Sequence, residues 1–313
     1  MKASNILTAA LLGLGLAAGT VSAQQPKAAN GGYSIFSGTM VDLNYQEVEA
    51  AAKRGAILLW PLGVIEEHAP HLPLGTDIYN ATAAMKEVAR ILRSQGRDVL
   101  VAPPMYWGIN DATGAFGGSF SVKPATLKAI IEDTFASFRK DGFQAVYIIT
   151  GHGDRLHNIT IIEGVEAARA STGLRGFVLV PPVMKDRLGL KGTEPHVLVT
   201  DAAQSAFQPA QAPRYVEVHA GMAETSIFWH NYPALVDSAT LPKLADTKFT
   251  IDDLNEWRKG WDNARQKTPL GYLGDPASAD PKRGAQMFGD YASGLANAIL
   301  RHMDVSPWIR QGR

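Results

Sequence analysis

Ala56-Ile57-Leu58-Leu59-Trp60-Pro61-Leu62 is an unbroken apolar run of strand length, closed by Gly63. A strand with one face in water alternates apolar and polar residues. A run without alternation predicts a strand buried on both faces, as in a parallel sheet under two layers of helices. Pro61 removes one ladder donor near its end. Upstream, Asn44 with Glu47 three residues on has the form of a capped helix start, so a helix is expected to about Arg54, ended by Gly55. Downstream, the pattern predicts a helix over Asn80–Gln95 stopped by Gly96, and a short strand at Val99–Ala102. A helix over Ala125–Asp141, a second buried strand at Phe143–Ile149, a helix over Asn158–Ser171 and a strand at Phe177–Val180 follow. Strand and helix alternate. The expected fold is α/β, a three-layer sandwich with a mostly parallel central sheet flanked by helices.

The first residues point to export. Lys2 precedes a short apolar run, Ile6 to Ala18, and Val21-Ser22-Ala23 puts small residues where a signal peptidase reads. The run is short for a membrane span, which needs about 20 residues. Residues 1–23 are therefore expected to be a signal peptide, 24–39 a flexible leader, and 40–313 a single domain in a periplasmic or secreted protein with no membrane attachment once the signal is cleaved. The chain has no cysteine. Thiolate ligands, a cysteine nucleophile and a lipidated cysteine anchor are excluded. Lysine plus arginine and aspartate plus glutamate are both 30, so no excess positive charge suggests a nucleic-acid partner.

In parallel sheets ligands sit at the carboxyl ends of strands. After Leu62 comes Glu66-Glu67-His68, then Pro70, His71, Pro73 and Asp77. Side chains alternate along extended chain, so Glu66 and His68 share a face and Glu67 points away. Asp77 closes a proline-stiffened loop, and its carboxylate can bridge two ions. After Ile149 comes Gly151-His152-Gly153-Asp154, where glycines let the chain turn sharply around a histidine. A third segment carries His219 and, five residues on, Glu224 near the start of an apolar helix. Carboxylate and imidazole ligands without sulfur suit zinc, manganese or iron. His157, His196, His230 and His302 lack such clustered context and are expected to be ordinary hydrogen-bonded residues, and His71 to brace its loop.

The run Gly63–Asp77, the Gly-His-Gly turn, His219-Ala220-Gly221 with Glu224-Thr225, and Gly274-Asp275-Pro276 with Lys282-Arg283-Gly284 resemble the creatininase (creatinine amidohydrolase) family over about Leu43 to Ile299. The resemblance implies a creatininase-like fold with two divalent metal ions. It also implies a metal-activated water, hydrolysis of non-peptide amide or cyclic amide C–N bonds in a small-molecule substrate, and a homo-oligomer, often a hexamer. By position, Glu66, His68, Asp77 and His152 match the family's metal ligands, with Asp77 bridging. Asp154 and Glu224 are alternatives for the fifth, and His219 matches its proton-transferring histidine. Where the family often has His-Phe-Pro-Gly, this chain reads Ala115-Phe116-Gly117-Gly118. Where creatininase has tyrosine after its metal histidine and tryptophan before its catalytic one, this chain has Gly153 and Tyr215. A creatinine pocket is therefore not expected. A lactone or ester hydrolase, or a non-catalytic metal- or solute-binding protein, are the other readings of the same residues. Export is checked by N-terminal sequencing of the exported form: it is expected to begin at Gln24, and an intact Lys2 would contradict cleavage.

Overall fold

The two apolar runs become neighbours at the centre of a sheet. The computed structural model describes residues 32–201 and 215–306, so the expected signal peptide lies outside the described residues. Strands β1 (Ile57–Leu62), β2 (Val99–Val101), β3 (Ala145–Thr150), β4 (Arg175–Val180) and β5 (Val197–Val199) form a parallel sheet in the order β2-β1-β3-β4-β5. From β1 the chain goes to one side to build β2, then returns to the other side to build β3. The gap between the ends of β1 and β3 is thus the switch point where such sheets bind ligands.

Helices α1 (Tyr45–Lys53), α2 (Thr76–Ser94), α3 (Pro124–Lys140), α4 (Arg155–Thr172), α5 (Pro182–Leu188), α6 (Met222–Asn231), α7 (Ile251–Trp257), α8 (Trp261–Lys267) and α9 (Pro281–Val305) complete the described elements, with four short 3₁₀ turns. Alternate strand residues enter two different cores. Leu58, Trp60, Val146 and Ile148 share one with Leu127 and Phe135 of α3 and Ile161 and Val165 of α4. Leu59, Tyr147 and Ile149 share the other with Met85, Val88 and Leu92 of α2 and Leu295 and Ile299 of α9. Each such side chain contributes roughly 1.5–3 kcal/mol on full burial. This two-sided burial explains why the strands carry no polar alternation.

The boundaries differ from the sequence pattern where turns take over. Helix α2 begins at Thr76 rather than Asn80, because Thr76 is tied back to the Pro73 carbonyl through both its amide and its hydroxyl. Asp77 therefore stands in a helical first turn rather than in a loop. Helix α4 begins at Arg155, and Asp154 is its N-cap. The long α9 was not anticipated, since glycines interrupt its apolar pattern. Gly284 explains one of them: a Cβ there would lie 1.9 Å from the Ser226 carbonyl oxygen, so glycine lets α9 cross α6 closely. The expected leader is described only from Gly32, and there Tyr33 meets the Tyr232 ring edge-on at 5.1 Å and Thr39 is buried. Packed chain thus starts before residue 40.

Gly151 sets the spacing at the switch point. A Cβ on it would sit 2.3 Å from the Asp77 carbonyl oxygen, so β3 meets the start of α2 only because this residue has no side chain. Gly151→Ala is expected to destabilise the metal-free protein by about 1–3 kcal/mol, the usual cost of forced overpacking. Gly153→Ala, whose Cβ would find its nearest atom at 4.0 Å, should stay within about 0.5 kcal/mol of the parent. Urea unfolding of the two variants checks the contrast.

Candidate metal centre

The chain leaving β1 stays extended through Glu66, whose amide donates to the Leu74 carbonyl at 3.0 Å. This brings Glu66 and His68 over the end of the sheet, opposite Asp77 on α2 and His152 on the turn after β3. His152 Nδ1 lies 2.9 Å from Glu66 Oε1 and 3.1 Å from Asp77 Oδ2. His68 Nε2 lies 3.3 Å from Asp77 Oδ1 and 3.7 Å from Glu224 Oε1. His219 Nδ1 stands 4.0 Å from Glu66 Oε1. Among the described residues, three sets offer donor atoms within 4.8 Å of one another: Glu66–Asp77–His152, His68–Asp77–Glu224 and Glu66–His68–His219. Asp77 belongs to the first two, giving one oxygen to each histidine.

The histidines are oriented from outside. His68 Nδ1 bonds the Glu66 carbonyl at 3.2 Å, His152 Nε2 the Ile109 carbonyl at 3.1 Å, and His219 Nε2 the Glu67 carbonyl at 2.9 Å. A carbonyl only accepts, so each outer nitrogen carries the proton and each inner nitrogen faces the carboxylates. This arrangement is characteristic of metal-ligating imidazoles. His68 Nε2 and Asp77 Oδ2 have no hydrogen-bond partner although both are buried. Buried polar atoms aimed at a shared point, all nitrogen and oxygen, fit a divalent cation.

Without a cation, the groups answer one another. Burial opposes the charged form of His152, but Glu66 and Asp77 outweigh it and hold the imidazole well above its ordinary range. His68 is treated likewise by Asp77 and Glu224. Burial raises the Asp77 carboxyl, yet His68 and His152 bring it down to about 2. Glu66 and Glu224 are also lowered against the cost of burial, by His152 and His68 respectively.

The second half of the centre comes from the loop before α6. Glu224, in the first turn of α6, accepts from the Ala220 amide at 2.7 Å, which turns its other oxygen to His68. Ala69 and Ala220 hold left-handed φ values of 59° and 47°. Each directly follows an inward-facing histidine. Such backbone costs energy for a residue with a Cβ, and it clusters where geometry matters for function.

Several contributors had no sequence signal strong enough to single them out. Glu67 was set apart as an outward acid. Its carboxylate instead approaches His219 Nε2 at 3.2 Å and accepts from the Ala69 amide at 3.0 Å. Thr113 donates its hydroxyl to Glu66 Oε2. Glu217 accepts from the Met222 amide at 2.7 Å and from the Asp275 amide, clasping the His219 loop to the Gly274-Asp275 turn.

Asp154 is not brought into the cluster and is absent from the three sets. One of its oxygens caps α4 at the His157 amide and the other accepts from the Asp111 amide, each at 3.1 Å. An aspartate drawn into a helix cap is held away from the centre, whereas Glu224 is turned into it. The remaining histidines take the roles expected of them where the contacts are visible. His71 bonds Thr225 Oγ1 at 2.8 Å, tying its loop to α6, and burial pushes its pKa down to about 4. His157 bonds the Ile109 amide and Thr150 Oγ1 beneath His152, and His302 bonds the Tyr147 hydroxyl.

Known proteins share this arrangement of chain. Residues 41–299 match the family described as Creatininase: Creatinine amidohydrolase. The chain is 27% identical over 248 residues to a mycofactocin precursor peptide peptidase of Mycolicibacterium smegmatis, covering 78% of this chain and 85% of that protein. It is 26% identical over 275 residues to a creatinine amidohydrolase of Pseudomonas putida, covering 85% and 96%. Among solved structures, a creatininase superposes with a TM-score of 0.65 at 22% identity, over 85% of this chain and 97% of that one. A manganese form of creatininase superposes with a TM-score of 0.64 at 23% identity, over 85% and 98%. With its parallel sheet and a match that runs from before α1 into α9, the chain belongs to the creatininase family.

Proposed function

We propose that this protein is a metal-dependent amidohydrolase that cleaves the amide or cyclic amide C–N bond of a small, non-peptide substrate. The observation that carries this reading is the shared carboxylate: Asp77 turns one oxygen to His152, in the set with Glu66, and the other to His68, in the set with Glu224. Glu66, Asp77 and His152 would hold one divalent ion; His68, Asp77 and Glu224 would hold a second. Zinc and manganese suit these ligands, and similar creatininases include a manganese form and a Zn–Zn form. When bound, such ions lower the pKa of a water molecule and polarise a carbonyl.

The chain's own contribution to bond breaking is His219. Glu67 fixes its outer nitrogen through the carbonyl at 2.9 Å, and the inner nitrogen faces Glu66. An amide nitrogen is too poor a leaving group to depart as an anion, and an imidazole held at the edge of the centre can deliver the proton it needs. The relatives are a creatinine amidohydrolase and a precursor-peptide peptidase, and the amide bond is common to both. A lactone or ester hydrolase would use the same ligands, but an alkoxide leaves with less help. A metal- or solute-binding protein would have no use for a carboxylate-braced histidine. The proposal extends to a mature chain that is exported, periplasmic or secreted, and homo-oligomeric, hexameric as the motif resemblance implies. No helix among the described residues is long and apolar enough to cross a membrane.

Two measurements test this. In metal analysis of purified variants, Asp77→Ala should lose metal and Glu224→Ala should lose one ion, while Asp154→Ala retains both. Loss on Asp154→Ala alone would reverse the ligand assignment. In turnover assays, metal-reconstituted protein is screened on cyclic amides, formamides, lactones and dipeptides. On the substrate found, His219→Ala should keep its metal yet lose about 10²–10⁴ in rate, the range for a positioned proton donor. A parent-like rate would remove His219 from the reaction.

A further inference from the structure

His152 is followed by Gly153, and the space a side chain would take there is bordered by a guanidinium. Arg187 Nη1 is the nearest atom to a Cβ built on Gly153, at 4.0 Å. Arg187 projects from α5 and is only partly exposed. Its one hydrogen bond among the described residues is a weak one, from Nη1 to Met184 Sδ at 3.8 Å. Among the described residues no carboxylate comes within ion-pair distance of it. Asp154 is near enough to favour its charge, but both Asp154 oxygens are occupied by the His157 and Asp111 amides.

Arg258, at the exposed end of α7, donates to Asn255 Oδ1 at 3.5 Å and is no part of this feature. A partly buried guanidinium with no carboxylate at ion-pair distance favours an anion that can pair with it. The guanidinium fork matches a carboxylate bidentately.

We propose, building on the amidohydrolase reading above, that Arg187 binds a carboxylate of the substrate close to the bond being cleaved. The substrate class is then amides that carry a free carboxylate, such as N-acyl amino acids or carboxylated cyclic amides. Gly153 adds no side chain beside Arg187 next to His152. This goes beyond the metal chemistry: the ions act on the amide, and Arg187 selects which amides arrive.

The test uses the zinc-loaded protein and two hydroxamates that differ by one carboxylate, acetohydroxamate and succinic monohydroxamate, with binding measured by calorimetry. The parent should bind the carboxylate-bearing probe about tenfold tighter or more, as expected for a charge-assisted hydrogen bond. Arg187→Gln should abolish that difference, with zinc content and acetohydroxamate affinity reporting an intact centre. Arg187→Lys should keep part of it, and added salt should narrow it. Equal affinities in the parent, or a full difference surviving in Arg187→Gln, would overturn the proposal while leaving the metal centre standing. Failure of acetohydroxamate itself to bind the parent would strike the metal-centre reading, and this inference with it.

Discussion

The Asp77 carboxylate, buried between the inner nitrogens of His68 and His152, is the contact on which the rest of the centre depends. Three carboxylates, those of Glu66, Asp77 and Glu224, crowd into a few ångströms there. Such a group is strongly disfavoured in a dry interior unless positive charge is shared among its members. The inward imidazoles supply that charge as protons; divalent ions would supply it with a better match to oxygen and nitrogen lone pairs. The geometry that makes this sharing workable comes from the sheet. Asp77 reaches the histidines because Gly151 admits the start of α2 against the end of β3. A methyl group at one backbone position would part the two elements that carry the centre.

Much of this could be read from residues alone, and the reasons are specific. The runs around Leu59 and Ile148 carry no alternation because helices cover both faces, so they announced a parallel sheet. Glu66, His68, Asp77 and His152 were visible because they follow those runs, where ligands gather. Two kinds of feature were hidden. Turn chemistry moved boundaries, so that Asp77 fell inside a helix and Asp154 became a cap. Long-range pairing was invisible: nothing in the local pattern of Glu67 says that its carbonyl and carboxylate meet His219, nor that Thr113 meets Glu66. The length of α9 was masked by its glycines, of which Gly284 has a purpose that appears only when α6 lies across it.

The departures from the family pattern spare Glu66, His68, Asp77, His152 and Glu224. The segment Ala115-Phe116-Gly117-Gly118 is tied to α8, where Arg265 donates to the Ala115 carbonyl and lies 5.3 Å from the Phe116 ring centre. Beside His152, the missing side chain of Gly153 exposes an arginine instead of presenting a ring. A sheet that holds the reactive groups and loops that border them can change separately. The same scaffold can therefore keep one chemistry while altering what it accepts.

The two ligand sets differ in how much chain must be closed to form them. Glu66, Asp77 and His152 come from the ends of the adjacent strands β1 and β3 and from α2, the helix that follows β1. The other set waits for Glu224, and the His219 contact with Glu67 spans 152 residues. Closing a longer loop costs more entropy, so the second set is the costlier of the two to hold together. The clasp made by Glu217, which joins the His219 loop to the turn at Asp275, offsets part of that cost. One carboxylate thus ties the chain beside the histidine to the turn that braces it, so that loosening either loosens both.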